Sequence, residues 1–164
     1  MMRYMRFFTL QACIGSDIAQ QKGIDNTPTP EVEACIVETV EQLLDPLSEA
    51  WEAYCRSNRL GVSGIDITSG YRCVQLNGMV GASSTSAHCR GYAFDLVPAN
   101  GKMREFKRFC RDYLADKAFD QLISVEEDNG IPRWIHVGYK HPDGHSQRRQ
   151  FISQVNGKYK AMTD

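Results

Sequence analysis

The sequence is short of several things, and each shortage excludes a class of protein. Neither charge sign is in excess: 19 Lys and Arg stand against 20 Asp and Glu, for a net charge of −1. No basic field therefore argues for nucleic acid. There is no apolar run of transmembrane length, so no membrane partner is expected. The only apolar cluster near the start, Phe7-Phe8-Thr9-Leu10, is short and is followed at once by Gln11. Although Met1 to Ile14 carries two arginines, it does not fit a secretory signal, and synthesis in the cytoplasm is expected. Internal repeats and low-complexity segments are also missing, and no composition shift marks a boundary. The 164 residues are read as one domain, long enough to bury a core.

The six cysteines at 13, 35, 55, 73, 89 and 110 contain no CxxC pair. A zinc ribbon and a thioredoxin-type redox site are both excluded by that spacing. Their even scatter favours buried, reduced thiols.

The patterning predicts an α+β fold: a small, mainly antiparallel sheet with helices packed on it. Residues 1–28 read as an extended lead-in. Thr29-Pro30-Glu31 has the form of a helix start, with Thr as cap and Pro in the first turn. Val32, Ile36, Val40, Leu43, Leu47, Trp51 and Tyr54 then recur every three or four residues, as on a long amphipathic helix that Pro46 should kink. A strand follows at Gly64 to Thr68, a short helix within Arg72 to Val80, and a strand at Tyr92 to Val97. Met103 to Leu114 reads as a helix with Phe106, Phe109, Cys110 and Tyr113 inward. Phe119 to Val125 and Arg133 to Tyr139 read as a hairpin around the polar turn Glu126 to Pro132. The Lys-, Arg-, Gly- and Ser-rich remainder reads as surface.

Three residues carry metal chemistry by type. His88 leaves the loop Ser83-Ser84-Thr85-Ser86, Asp95 lies seven residues on in a strand, and His136 follows in Trp134-Ile135-His136. Two imidazoles and a carboxylate form a ligand set that leaves a coordination position open on zinc for water. Gly91 supplies the bend between the first two, and Ala93 is small enough to let another backbone approach. Gly138 shares a strand face with His136 and is expected to leave room for a substrate. Taken singly, a histidine between apolar residues would be a core residue and Asp95 a strand-end cap.

Several separated blocks then occur in order. They are Ser69-Gly70-Tyr71-Arg72, Asn77, Val80-Gly81, Ser86-x-His88-x-x-Gly91-x-Ala93-x-Asp95, Phe119-Asp120-Gln121-Leu122-Ile123 and Trp134-Ile135-His136-Val137. Together they resemble the zinc D-alanyl-D-alanine carboxypeptidase family of metallopeptidases, whose fold is shared by the Hedgehog signalling domain. The lead-in (Ser16-Asp17-x-Ala19 and Gly23 to Pro28) and Arg148-Arg149-Gln150 are similar to the small, single-domain, phage-associated branch.

The resemblance implies that His88, Asp95 and His136 hold Zn2+, that Arg72 binds substrate or developing oxyanion charge, and that Ser86 caps the turn beside the ligands. It implies a peptidoglycan stem peptide as partner, and a virion, a phage tail or the cell wall as destination. One feature departs from the family. Related enzymes carry an acid or histidine just before the last ligand, or a glutamate two residues after the Asp-Gln-Leu-Ile block. Here those positions are Arg133, Trp134 and Val125. The general base is then expected to be Glu126, re-aimed by a bulge, with Glu127, His141 and His145 as alternatives. If none serves, the chain is a non-catalytic, zinc-stabilised structural or wall-binding module.

Overall fold

In the computed structural model, residues 5–83 and 85–163 are described. Residues 1–4, at the start of the arginine-containing N-terminal stretch, Ser84 of the serine loop and Asp164 lie outside that description. The architecture is α+β. Six strands run in the order β1-β2-β4-β3-β5-β6, and every neighbouring pair is antiparallel except β3 and β5. The strands are β1 (Ile65–Ser69), β2 (Ala93–Pro98), β3 (Gln121–Val125), β4 (Trp134–Gly138), β5 (Gln150–Val155) and β6 (Lys158–Ala161).

The lead-in is not extended throughout. It carries two short helices, α1 (Leu10–Ile14) and α2 (Asp17–Lys22). Thr9 and Ser16 cap them by accepting from the amides of Ala12 and Ala19, and Gly23 ends the second in the left-handed region. Helices of five and six residues are too short to show a period of 3.6, so only their caps mark them.

The long stripe forms α3 (Pro30–Thr39) and α4 (Asp45–Asn58), joined without a break by one π turn at Val40–Leu44. The disturbance expected at Pro46 sits in that turn. Proline has no amide to donate and crowds the carbonyl four residues back, so the ladder widens just before it. Asp45 is buried there and accepts from the amides of Arg6 and Phe7, at 2.8 and 3.1 Å, tying the lead-in to the helix. With α5 (Met103–Leu114), these helices cover one face of the sheet. Trp51 lies 5.0 Å from Phe106 and 5.2 Å from Phe109, centroid to centroid. Phe94, Leu96, Leu122, Ile135 and Val137 bring the sheet's inner face to the same core.

The period of two sends the alternate residues outward. Asp95, His136 and Ile123 lie in one row across β2, β4 and β3, because Asp95 pairs with His136 and His136 with Ile123. The C-terminal remainder is not mere surface. It adds β5 and β6 to the sheet, with Ser153 fully buried and Met162 against the core. The inward row of β5 contains Phe151 and Ser153, and a serine on the buried side hides the alternation that marks a strand. All six cysteines are free thiols: Cys13, Cys55 and Cys110 are buried, the others half-buried. Burial raises the Cys13 thiol to about 12, which makes it inert. Among the described residues, no helix is long and apolar enough to cross a membrane.

Candidate metal centre

His88 is placed by one turn of 3-10 helix, Ala87–Arg90. Ser86 caps that turn by accepting from the His88 amide at 3.2 Å, as expected of it. Gly91 closes the turn at φ +78°, against α3: a Cβ there would lie 2.8 Å from Ile36 Cγ1. Both the conformation and the space require glycine. His88 is 3 % exposed, and its ring Nδ1 donates to the Gly70 carbonyl at 2.7 Å. That bond leaves the lone pair on Nε2, which faces Asp95 Oδ1 at 3.5 Å. Gly70 in turn lies against the end of α1, where a Cβ would come within 2.1 Å of the Cys13 carbonyl oxygen. The helical lead-in thus fixes the backbone that orients the first histidine.

Asp95 and His136 come together through strand register, with His136 Nδ1 at 3.0 Å from Asp95 Oδ1. Burial alone would raise the Asp95 pKa, but the hydrogen bond to His136 and the pull of the two histidines outweigh it and hold the group far below the usual carboxylate range. Burial pushes His88 down, against the pull of Asp95, so its imidazole stays neutral near pH 7. The ligand-type atoms of His88, Asp95 and His136 all lie within 4.8 Å of one another. A tetrahedral zinc with bonds of ~2.1 Å has ligand–ligand edges of about 3.4 Å, near the observed 3.5 and 3.0 Å. A neutral imidazole with its far nitrogen already bonded, a second imidazole and an anionic carboxylate fit a divalent cation. Cys89, next to His88, is not part of the group.

The triad lies on a cleft of about 690 Å³. Arg72 borders it, half-buried, with Nε on Asn77 Oδ1 at 3.2 Å and Nη1 on Ser69 Oγ at 3.1 Å. Both partners are neutral, so the guanidinium keeps its charge for the cleft. Asn77 is buried and donates to the Ser83 carbonyl at 2.7 Å.

The two candidate glutamates part company at the end of β3. Glu126 takes φ +47°, borders the cleft and pairs with Arg133 at 2.6 Å. Glu127 turns to the other face, where it is buried 3.1 Å from Lys107 Nζ and accepts from Ser153 Oγ at 2.8 Å. It does not line the triad's cleft. Neither His141 nor His145 lines it; His141 accepts from the Asp143 amide within the 139–149 loop. Gly138 is buried and does not line the cleft, so the space expected beside His136 for a substrate does not come from it.

The cleft is also lined by Arg148, to which the sequence assigned no role. Asp120 is buried and receives Arg148 through Nε at 2.8 Å and Nη2 at 2.6 Å, a bidentate pair that joins the start of β3 to the approach to β5. Gln154 and Tyr159 extend the wall onto β5 and β6. Asp120 and Arg148 fall in the motif blocks already noted, but only the parallel pairing of β3 with β5 reveals them as partners.

A model of the family described as peptidase M15 matches residues 7–138, well over half of the chain. No curated protein matches it.

Proposed function

We propose that this chain, which belongs to the peptidase M15 family, is a zinc peptidase that cleaves peptide bonds in the stem peptides of bacterial peptidoglycan. The observation that carries this reading is the convergence of His88, Asp95 and His136 beside Arg72 in one open cleft. Zinc held there would supply a water of pKa near ~7 and polarise the scissile carbonyl. The chain's own groups do the rest. Gly70 keeps the His88 proton on Nδ1, and Asp95 stays anionic between the two imidazoles. Arg72, braced by Asn77 and Ser69, faces the charge that develops on the attacked carbonyl or the substrate's carboxylate. Glu126 takes the proton of the attacking water and hands it to the leaving amine. The motif blocks shared with the phage-associated branch support delivery to the wall from a virion, a tail or a lysing cell.

One observation favours a second reading, the non-catalytic zinc-stabilised module. The family's glutamate position is Val125, and Glu126, beside it, is engaged by Arg133. Metal analysis with digestion of purified peptidoglycan separates the two. The peptidase reading expects zinc and new fragments whose masses correspond to hydrolysed peptide bonds. Bound zinc with no released fragments supports the module.

A further inference from the structure

Arg72 stands in neither a strand nor a helix. β1 ends at Ser69 and the next helix begins at Val74, so no ladder holds the backbone between them. The polar groups of that backbone must find partners one by one. The Tyr71 amide donates to the Cys13 carbonyl at 2.8 Å, and the Arg72 amide to the His88 carbonyl at 3.2 Å. Two further contacts come from a single side chain. Asn26 Nδ2 donates to the Tyr71 carbonyl at 3.0 Å, and Asn26 Oδ1 accepts from the Cys73 amide at 2.7 Å.

Those two bonds bracket Arg72. The Tyr71 carbonyl belongs to the peptide plane before the Arg72 Cα, and the Cys73 amide to the plane after it. The two planes turn against each other only through φ and ψ of Arg72. A group that holds both planes fixes those dihedrals, and with them the direction in which the side chain leaves. At the far end, Asn77 and Ser69 hold the guanidinium. The arginine is thus set at both ends.

Asn26 comes from the link between α2 and α3. Asp25 Oδ1 accepts from the Thr27 amide at 3.0 Å, which turns the chain about Asn26, and Pro28 is buried just beyond. Asn26 Nδ2 also donates to the Ile14 carbonyl at 2.8 Å, at the end of α1. Two donors and an acceptor on one short stem are what this amide side chain offers. An ionised aspartate has no donor, and a hydroxyl has only one. Asn26 falls in the Gly23–Pro28 block, to which the metal centre itself gives no work.

We infer that Asn26 is a positioning residue: it lies outside the cleft and acts by aiming Arg72 into it. The work that Arg72 does there rests on the peptidase reading above; its placement does not.

The test compares wild type, Asn26→Ala, Arg72→Ala and the double variant, each as the zinc-loaded full chain. On purified stem peptides Asn26→Ala should lower kcat/KM about tenfold or more, since a misplacement of ~1 Å can cost on the order of 10²-fold. Bound zinc should hold. In the Arg72→Ala background the same change should cost less than about twofold, because no guanidinium is left to aim. A merely structural residue would lower both backgrounds alike. The arginine Nε–H resonances give a readout that needs no turnover. The signal missing from Arg72→Ala belongs to Arg72, and Asn26→Ala should shift and broaden it while the other arginine signals hold. Asn26→Asp keeps the acceptor for Cys73 and loses both donations, so it should move the same signal, and it replaces the alanine variant if that one does not fold. Equal losses in the two backgrounds, or an Arg72 signal at its wild-type position in the folded variants, overturn the inference and leave the peptidase reading standing. Loss of fold in both variants makes Asn26 a structural residue and also overturns it. If wild type cuts no stem peptide, the peptidase reading falls, and the Arg72 signal alone decides the placement.

Discussion

Glu126 and Glu127 are neighbours in the chain but face opposite sides of the sheet. Glu126 meets Arg133 at the border of the cleft, and Glu127 meets Lys107 in the buried layer behind it. The left-handed backbone at Glu126 makes the division, and it assigns the two carboxylates different work.

For Glu126 the work is proton transfer. Glu126→Gln keeps the shape and removes the base, so turnover on wall peptides should fall about 10²–10⁴-fold. Zinc content should hold, since no ligand is lost. Steady-state rates with metal analysis of the same sample check this, and wild-type rates in the variant would take the role from Glu126.

For Glu127 the work is structural. Burial raises its pKa, but the bonds from Ser153 and Lys107 outweigh that, and the folded-state pKa lies below the ordinary carboxylate value. The sign follows: its contribution to stability is complete above the unfolded pKa and is lost as pH falls through the folded one. Glu127→Gln leaves Lys107 buried without its counter-charge and should cost about 3 kcal/mol. Denaturant melts at neutral and acid pH should show the gap between the proteins narrowing toward acid. A variant as stable as wild type at pH 7 would contradict it.

Arg72→Lys should not behave as a conservative change. The guanidinium reaches Asn77 and Ser69 through separate nitrogens and still faces the cleft. A lysine's single ammonium cannot hold all three. Activity should drop while bound zinc stays constant, and equal kcat/KM in the two proteins would return Arg72 to a scaffolding role.

Gly70→Ala tests whether the lead-in orients His88. The added Cβ would meet the Cys13 carbonyl oxygen at 2.1 Å, so the chain must shift the carbonyl that accepts from His88 Nδ1. Loss of such a partner typically weakens metal binding about 10–100-fold. A zinc titration against a competing chelator reads it, and unchanged affinity would mean that the Gly70 carbonyl does not orient the ring.

Much of this was legible before folding. The helix at 103–114 was plain because Phe106, Phe109 and Cys110 repeat on one face, and the hairpin of β3 and β4 because two apolar runs flank a polar turn. The three ligand-type residues stood out by chemistry and by the small residues between them. What stayed hidden depends on neighbours distant in sequence. Ser153 faces inward because Glu127 and Lys107 wait there, so β5 did not read as a strand. Gly138 shares a strand face with His136, but it is buried outside the cleft, which only the packing around β4 reveals. Which glutamate faces the cleft depends on one backbone angle at residue 126, and both residues allow either answer.

The central claim is that His88, Asp95 and His136 together bind one zinc. The most direct measurement is metal content per chain, by mass spectrometry of the native protein, for wild type and His88→Ala. The account predicts one zinc per wild-type chain and loss of most of it in the variant, with a lower melting temperature. Equal metal content and equal thermal stability in the two proteins would contradict it.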